Sequence, residues 1–265
     1  MNDLHIAGSG KLDAGLYGDI TVSGGVSAKG PLSCHTFRAS GSARMEGDFT
    51  CEEEARLSGS LHCNGNARCG ALRCAGSAHV EGDVHCTGEV KCSGSLGSEG
   101  EVQCDTLICA GSARIKKELQ ARNVTVAGSL SAAALHGSGE VSVSGGLQVE
   151  GDAEAERFFL SGGIRVGGLL NAEEMEITLQ GDSSRVQSIG GRSVIVKRKR
   201  PSLRPCLLTV EDGIEADSIS LECTKAQSVV GKNVVIGEKC EVDFVAYTDT
   251  LEVADNAKVG RTEKR

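Results

Sequence analysis

Between residues 107 and 174 the chain repeats itself every 17 residues. Rows cut at Leu107, Val124, Val141 and Phe158 carry Cys109, Val126, Val143 and Leu160 in third place. Gly111, Gly128, Gly145 and Gly162 stand fifth, and Ala113, Leu130, Leu147 and Ile164 seventh. A fixed period with one residue class per column marks a repeat architecture and outranks any local secondary-structure assignment. Within a row the unit is apolar-x-apolar-x-Gly-x, about three times over. An apolar spacing of two is the period of a strand, and a glycine column marks corners where φ can turn positive without steric cost. Three short strands and three corners per row describe one turn of an all-β, single-stranded parallel β-helix, a three-sided β-solenoid.

The pattern extends both ways. Earlier rows start at Leu4, Ile20, Phe37, Ala55, Leu72 and Val90, and later ones at Met175, Val194, Asp217, Val234 and Leu251. This gives about fifteen turns of 17–18 residues in one continuous domain over residues 4–260. The row from Val194 is long, and its excess fits a basic loop insertion at about 197–205. Residues 261–265 read as a charged tail.

Twelve cysteines invite a metal or disulfide reading, yet no Cys-x-x-Cys occurs. Cys34, Cys51, Cys69, Cys86 and Cys104 recur at 17 or 18 residues, as do Cys74, Cys92 and Cys109. Both series coincide with apolar columns of other rows, so they read as buried ladders of small hydrophobes. Adjacent strand residues face opposite ways, so pairs such as Cys34 and His35 do not clasp one ion. His62 and His79 share an outward position on successive turns and read as a solvated pair. No Gly-x-Ser-x-Gly and no phosphate loop of the Gly-x-x-x-x-Gly-Lys type is present. The expectation is a chain with no catalytic residue, no cofactor and no metal.

Aromatic residues make up 3% of the chain and tryptophan is absent, as suits a narrow interior of Val, Ile, Leu, Ala and Cys. The net charge of −8 argues against general nucleic-acid binding. No stretch approaches the length of a membrane span, and the first residues lack the basic-then-apolar pattern of a signal peptide, so a cytoplasmic protein is expected. The charged columns are more informative. Arg38, Arg56, Arg73 and Lys91 share the second place of four successive rows, and like charges on neighbouring strands repel. Glu46, Glu81 and Glu99 share the tenth place, with Asp48, Asp83 and Glu101 at the twelfth. The basic column is a candidate stripe for lateral pairing or for an acidic partner. The run Lys197, Arg198, Lys199 and Arg200 is a candidate for peripheral contact with anionic lipid.

Rows such as Val124-Thr125-Val126-Ala127-Gly128-Ser129-Leu130, with Gly-Asp corners at Gly47 and Asp48, Gly82 and Asp83, and Gly151 and Asp152, resemble the bactofilins, the polymer-forming cytoskeletal proteins of bacteria. The resemblance implies a right-handed β-helix that assembles into filaments without nucleotide and scaffolds cell shape, envelope or other proteins. Partners would be further copies of the chain, and filament-forming paralogues or envelope-associated proteins. The alternative is a left-handed hexapeptide-repeat acyltransferase-like trimer, but those enzymes keep a strict six-residue period and a histidine by a protruding loop. The loop at 197–205 has no histidine. A carbohydrate-active β-helix would need an aromatic cleft, for which two tyrosines are poor material. The open turns of a solenoid expose unpaired strand groups and core. Leu4 and Ile6 at one end of the repeat, and Leu251, Val253, Ala257 and Val259 at the other, are therefore the expected polymerisation contacts.

Overall fold

The computed structural model describes residues 2–181, 184–199 and 206–265. It falls into two compact units, Met1–Ala133 and Ala134–Arg265. Both are built from parallel strands stacked turn on turn, and no helix occurs among the described residues. The turns number about 15.

In the first unit each turn contributes three short strands. Val102–Cys109, Ala113–Ile115 and Glu118–Val126 carry one such turn and the start of the next. The sequence columns are the hydrogen-bonding register. Leu4 pairs Ile20, Ile20 pairs Phe37, and Phe37 pairs Ala55. Ala55 then pairs Leu72, Leu72 pairs Val90, Val90 pairs Leu107, and Leu107 pairs Val124. Alternate residues point inward, so from Ile20 onward this column is buried while the residues between stay outside. Each fully buried Leu, Val or Ile contributes about 1.5–3 kcal/mol over its exposed state. The interior does take a few rings. Phe37 and Phe49 meet edge to face, with centroids 5.2 Å apart.

All twelve cysteines are buried and unbridged. Cys34 pairs Cys51, Cys51 pairs Cys69, and Cys69 pairs Cys86 in one ladder. Cys74, Cys92 and Cys109 form the second. Burial away from water pushes the Cys104 thiol up to about 12 and the Cys240 thiol up to about 11.

The glycine column has a second cause beside the expected positive φ, which holds at Gly145 and Gly162. Positive φ occurs at Gly8, Gly15, Gly30, Gly145, Gly162 and Gly181, but not at Gly41, Gly59, Gly76, Gly94, Gly111 or Gly128. What fixes those glycines is the turn beneath. A Cβ on Gly111 would lie 2.4 Å from the carbonyl oxygen of Gly94, and one on Gly128 2.3 Å from that of Gly111. The corners stack too closely for any side chain to enter.

Side chains beside these glycines pair the corner backbone. Asp48 accepts the N–H of Asn66 at 2.8 Å, Asn66 accepts that of Asp83 at 2.9 Å, and Asp83 that of Glu101 at 3.0 Å. At another corner Ser42, Ser60 and Ser77 accept the N–H groups of Ser60, Ser77 and Ser95 at 3.2–3.3 Å. Buried or crowded backbone donors need such partners wherever the strand ladder is interrupted.

In the second unit the strands run on through the corners, as in Ala153–Leu179 and Leu208–Leu221. Register shifts mark the bends, for example between Val186 and Ile189. One row boundary is corrected. Val194 pairs Ile219, not Asp217, and Ile219 pairs Val234. The long row therefore takes up two more residues than the charge run suggested. The next row is shorter, because Leu221 and Thr224 are joined by a tight corner with Cys223 at φ 50°. Lys197 and Arg198, expected in a protruding loop, finish the strand Ser184–Arg198. Arg200 and the rest of the expected insertion, residues 200–205, lie outside the described residues. The residues expected as a charged tail continue the last strand, Lys258–Lys264, where Arg261 pairs Phe244 and Lys264 pairs Tyr247.

Two outcomes follow. Replacing Gly111 by Ala puts a methyl against backbone that has nowhere to move, and should cost about 1–3 kcal/mol in denaturant unfolding. Asp83→Ala removes the acceptor of the Glu101 N–H and should cost about 0.5–1.5 kcal/mol, whereas Asp83→Asn should be nearly neutral, since Asn66 already fills that role one turn away. Native-state labelling gives an independent check on the interior: the buried thiols at Cys51, Cys69 and Cys86 should react only on unfolding, and fast reaction in native buffer contradicts their place in the core.

Candidate functional site

The second-place residues stand one above another outside the first unit: Arg38 pairs Arg56, Arg56 pairs Arg73, and Arg73 pairs Lys91. The expected repulsion is relieved at one rung. Arg73 reaches Glu54 and Glu89 on the turns to either side, both at 3.0 Å. Arg38, Arg56 and Lys91 are exposed and have no ion-pair partner among the described residues.

A second outward column, the eighth place of the rows, lies across the Ser-Gly corner; of it the sequence singled out His62 and His79 but not Arg44 and Arg114. Arg44 pairs His62, and His62 pairs His79. His79 pairs Gly97, and Gly97 pairs Arg114. The rings of His62 and His79 stack at 5.3 Å and 16°. Glu81 stands 3.9 Å from His62. Among the described residues no group of three or more His, Cys, Asp or Glu is placed to hold a metal ion.

Both acidic columns lie at the next corner, on either side of Gly47, Gly82 and Gly100. Asp48 and Asp83 are engaged with backbone, as above, while Glu99 pairs Lys116. Glu46 and Glu101 are exposed. At the remaining corner His35 lies between Glu52 and Glu53, at 3.2 and 3.6 Å. The hydrogen bond to Glu52 and the charge of Glu53 raise its pKa above the usual histidine value.

The apolar residues proposed for the ends differ from their columns. Ile20 and Val22 are fully buried, whereas Leu4 and Ile6, their partners one turn out, are half-buried. In the second unit Val234 and Ile236 are fully buried, but Leu251 is half-buried and Val253 is 44% exposed. Ala257 and Val259 are half-buried, while Cys240 and Val242 one turn inside are buried. Arg261 and Lys264 lie over the rings of Phe244 and Tyr247, at 5.5 and 5.9 Å from their centroids.

The basic run of the second unit is partly engaged. Lys197 pairs Glu176, the N–H of Arg198 donates to Glu222 at 3.0 Å, and Lys199 donates to Gln180 at 3.2 Å. An open groove nearby in that unit is lined by Gly191, Ala216, Gly231 and Tyr247, with Lys232 held by Asp217 at 2.9 Å. No described helix is long and apolar enough to cross a membrane.

Known proteins share part of this pattern. Residues 74–171 match the bactofilin family, described as polymer-forming cytoskeletal. The uncharacterized protein YhbF of Bacillus subtilis (strain 168) is 36% identical over 98 residues, which is 37% of this chain and 42% of that protein. The uncharacterized protein YhbE of the same organism is 32% identical over 102 residues, covering 37% of this chain and 43% of the relative. The chain thus spans less than half the length of either relative. No solved structure matches it. Over residues 74–171, where Gly-x-apolar-x-apolar rows stack in register, the chain is similar to the bactofilins, the structural family that its repeat resembles.

Proposed function

We propose that this chain is a structural protein that assembles end to end into filaments without nucleotide and acts as a cytoskeletal scaffold in the cytoplasm. The observation that carries the reading is the change in burial within one column. Val253 is 44% exposed, and Ile236, its register partner one turn inside, is fully buried. Leu4 and Ile6 show the same loss of cover against Ile20 and Val22. Stacking a further turn on such a face pairs strand N–H and C=O groups and covers Val253, Leu251, Ala257 and Val259. At about 25 cal/mol per Å² of apolar surface, covering a few such side chains at each joint gives several kcal/mol. Repetition of a joint between unlike ends makes an open filament, while like ends give filaments without polarity. The similarity to a polymer-forming family over residues 74–171 supports the same reading. Backbone pairing and apolar burial need no phosphate chemistry, which accords with the lack of a phosphate loop in the sequence. Contact of Lys197, Arg198, Lys199 and Arg200 with an anionic surface, and binding of envelope-associated proteins, would be additions to this scaffold.

Val253→Asp or Ile6→Asp should give short species in light scattering and microscopy, at concentrations where the unaltered protein forms filaments. Both should keep the β-rich circular dichroism of the parent, because the substituted positions are only partly buried. A parent protein that stays a monomer or closed trimer at tens of micromolar contradicts the filament reading and favours an acyltransferase-like trimer.

A further inference from the structure

The charges of the first unit are sorted by corner. The Ser-Gly corner, formed by residues 40–42, 58–60, 75–77 and 93–95, carries no charged residue. On one side of it stand Arg38, Arg56 and Lys91, and on the other Arg44 and Arg114, none with an ion-pair partner among the described residues. Every acid between residues 37 and 110 lies at one of the other two corners. The Ser-Gly ridge adds donors of its own. Ser42, Ser60 and Ser77 each accept a backbone N–H from the next turn, which leaves each hydroxyl proton to donate outward.

From this sorting we infer that the Ser-Gly edge, with its two flanking basic columns, is a lateral docking surface for a second copy of the chain, which presents the corner bearing Glu46, Glu81, Glu99 and Glu101. The inference rests on the scaffold reading and extends it from the ends to the side. Charge complementarity gives the partner its sign, and spacing gives its identity. The second-place cations of the first column stand on successive turns, about 4.8 Å apart, with the Arg73 rung already answered by Glu54 and Glu89. A carboxylate column on another solenoid of the same chain has the same rise, so the charged rungs of the two columns can meet in register. Phosphates along a nucleic-acid strand and head groups in a bilayer do not share that rise. The acidic corner has groups to offer: Glu46 and Glu101 are exposed, Glu81 is held only at 3.9 Å by His62, and the Glu99–Lys116 pair lies in solvent. Because the two surfaces differ, each copy offers both, and pairing continues sideways into sheets instead of closing as a dimer.

The test uses the full chain with two triple variants. One carries Arg38→Glu, Arg56→Glu and Lys91→Glu; the other carries Glu46→Lys, Glu81→Lys and Glu99→Lys. All six positions face solvent, so both variants should keep the parent's thermal midpoint within a few degrees. Each alone should lose side-by-side pairing in microscopy at about 50 mM salt yet still form single filaments, and an equimolar mixture of the two should pair again. Pairing of the parent should fall roughly tenfold or more by about 0.5 M salt, where the screening length is only a few ångströms. Variants that pair like the parent, or a mixture that fails to restore pairing, overturn the inference. So does loss of binding to phosphatidylglycerol vesicles with pairing unchanged, which assigns the edge to a lipid surface. The Val253→Asp background separates the two proposals. Salt-sensitive lateral pairs that persist without filaments uphold the edge, whatever becomes of end-to-end assembly.

Discussion

Turn-on-turn pairing of parallel strands is the constraint from which the rest follows. Strands stack at about 4.8 Å, and each residue is fixed above its counterpart one turn earlier. Inside, the column must be apolar, and Cys, Ala, Val and Leu exchange along it, with Phe37 over Ala55 as the largest step in size. Cys104 pairs with Ala121, and Cys74 with Leu57, without change of register. At the corners the same spacing brings backbone against backbone. Gly111 would need a Cβ 2.4 Å from the Gly94 oxygen, so in the first unit the glycine column is a consequence of stacking, while Gly145 and Gly162 also have positive φ. Where the chain bends away from the strand ladder, Asp, Asn and Ser accept the N–H of the next turn. The repeated Gly-Asp and Gly-Ser pairs are thus one device, in which a bare backbone is followed by an acceptor.

The outside obeys the register but not the composition rule. A column of like charges on neighbouring strands is destabilising unless something intervenes. Arg73 is held between Glu54 and Glu89, so its charge is answered within the unit. Arg38, Arg56 and Lys91 are not, and their corner neighbour is a neutral ridge of Ser and Gly. Carboxylates at that ridge would have neutralised the columns at little cost, since positions such as Ser58 and Ser93 are exposed. Neutral residues stand there instead, while acids crowd the two other corners. Such sorting leaves the first unit with sides of opposite character although the whole chain carries only −8.

The period of the sequence made the fold legible, because a register of stacked turns is written directly as a spacing. Row starts from Leu4 to Leu107 are register partners in the structure, and so are the cysteine ladders. Legibility failed where spacing stopped reporting register. Around the insertion, the basic residues suggested where the excess lay, but Lys197 and Arg198 belong to a strand and the row boundary moves from Asp217 to Ile219. Two compensating irregularities, a longer insertion and a tight corner at Cys223, preserve the total length and so hide each other from a count. The glycine column was found but its second cause was not, since positive φ and close approach leave the same residue in the sequence. The candidate surfaces were half legible. The basic column at Arg38, Arg56, Arg73 and Lys91 could be read from one place in the row. The pairing of Arg73, the second column through Arg44 and Arg114, and the neutral ridge between them required knowing which places share a corner.

A repeat fold of this kind concentrates function on surfaces rather than in a pocket, and the reason is energetic. Each rung of a column repeats the contact of the one before, so a weak exposed pair, worth well under about 1 kcal/mol alone, becomes useful only through several rungs in register. In the proposed filament the same arithmetic would not hold at an end, where one turn would be the whole interface and would have to supply its affinity through burial of Val253, Leu251 and their neighbours. Ends built from apolar residues and sides built from exposed charge therefore answer to different conditions. Apolar burial is strengthened by excluded salts such as sulfate, while exposed ion pairs are screened by any salt. An assembly made from both can keep its filaments while it gains or sheds its neighbours, a division of labour that a scaffold can use and that a closed catalytic trimer has no need of.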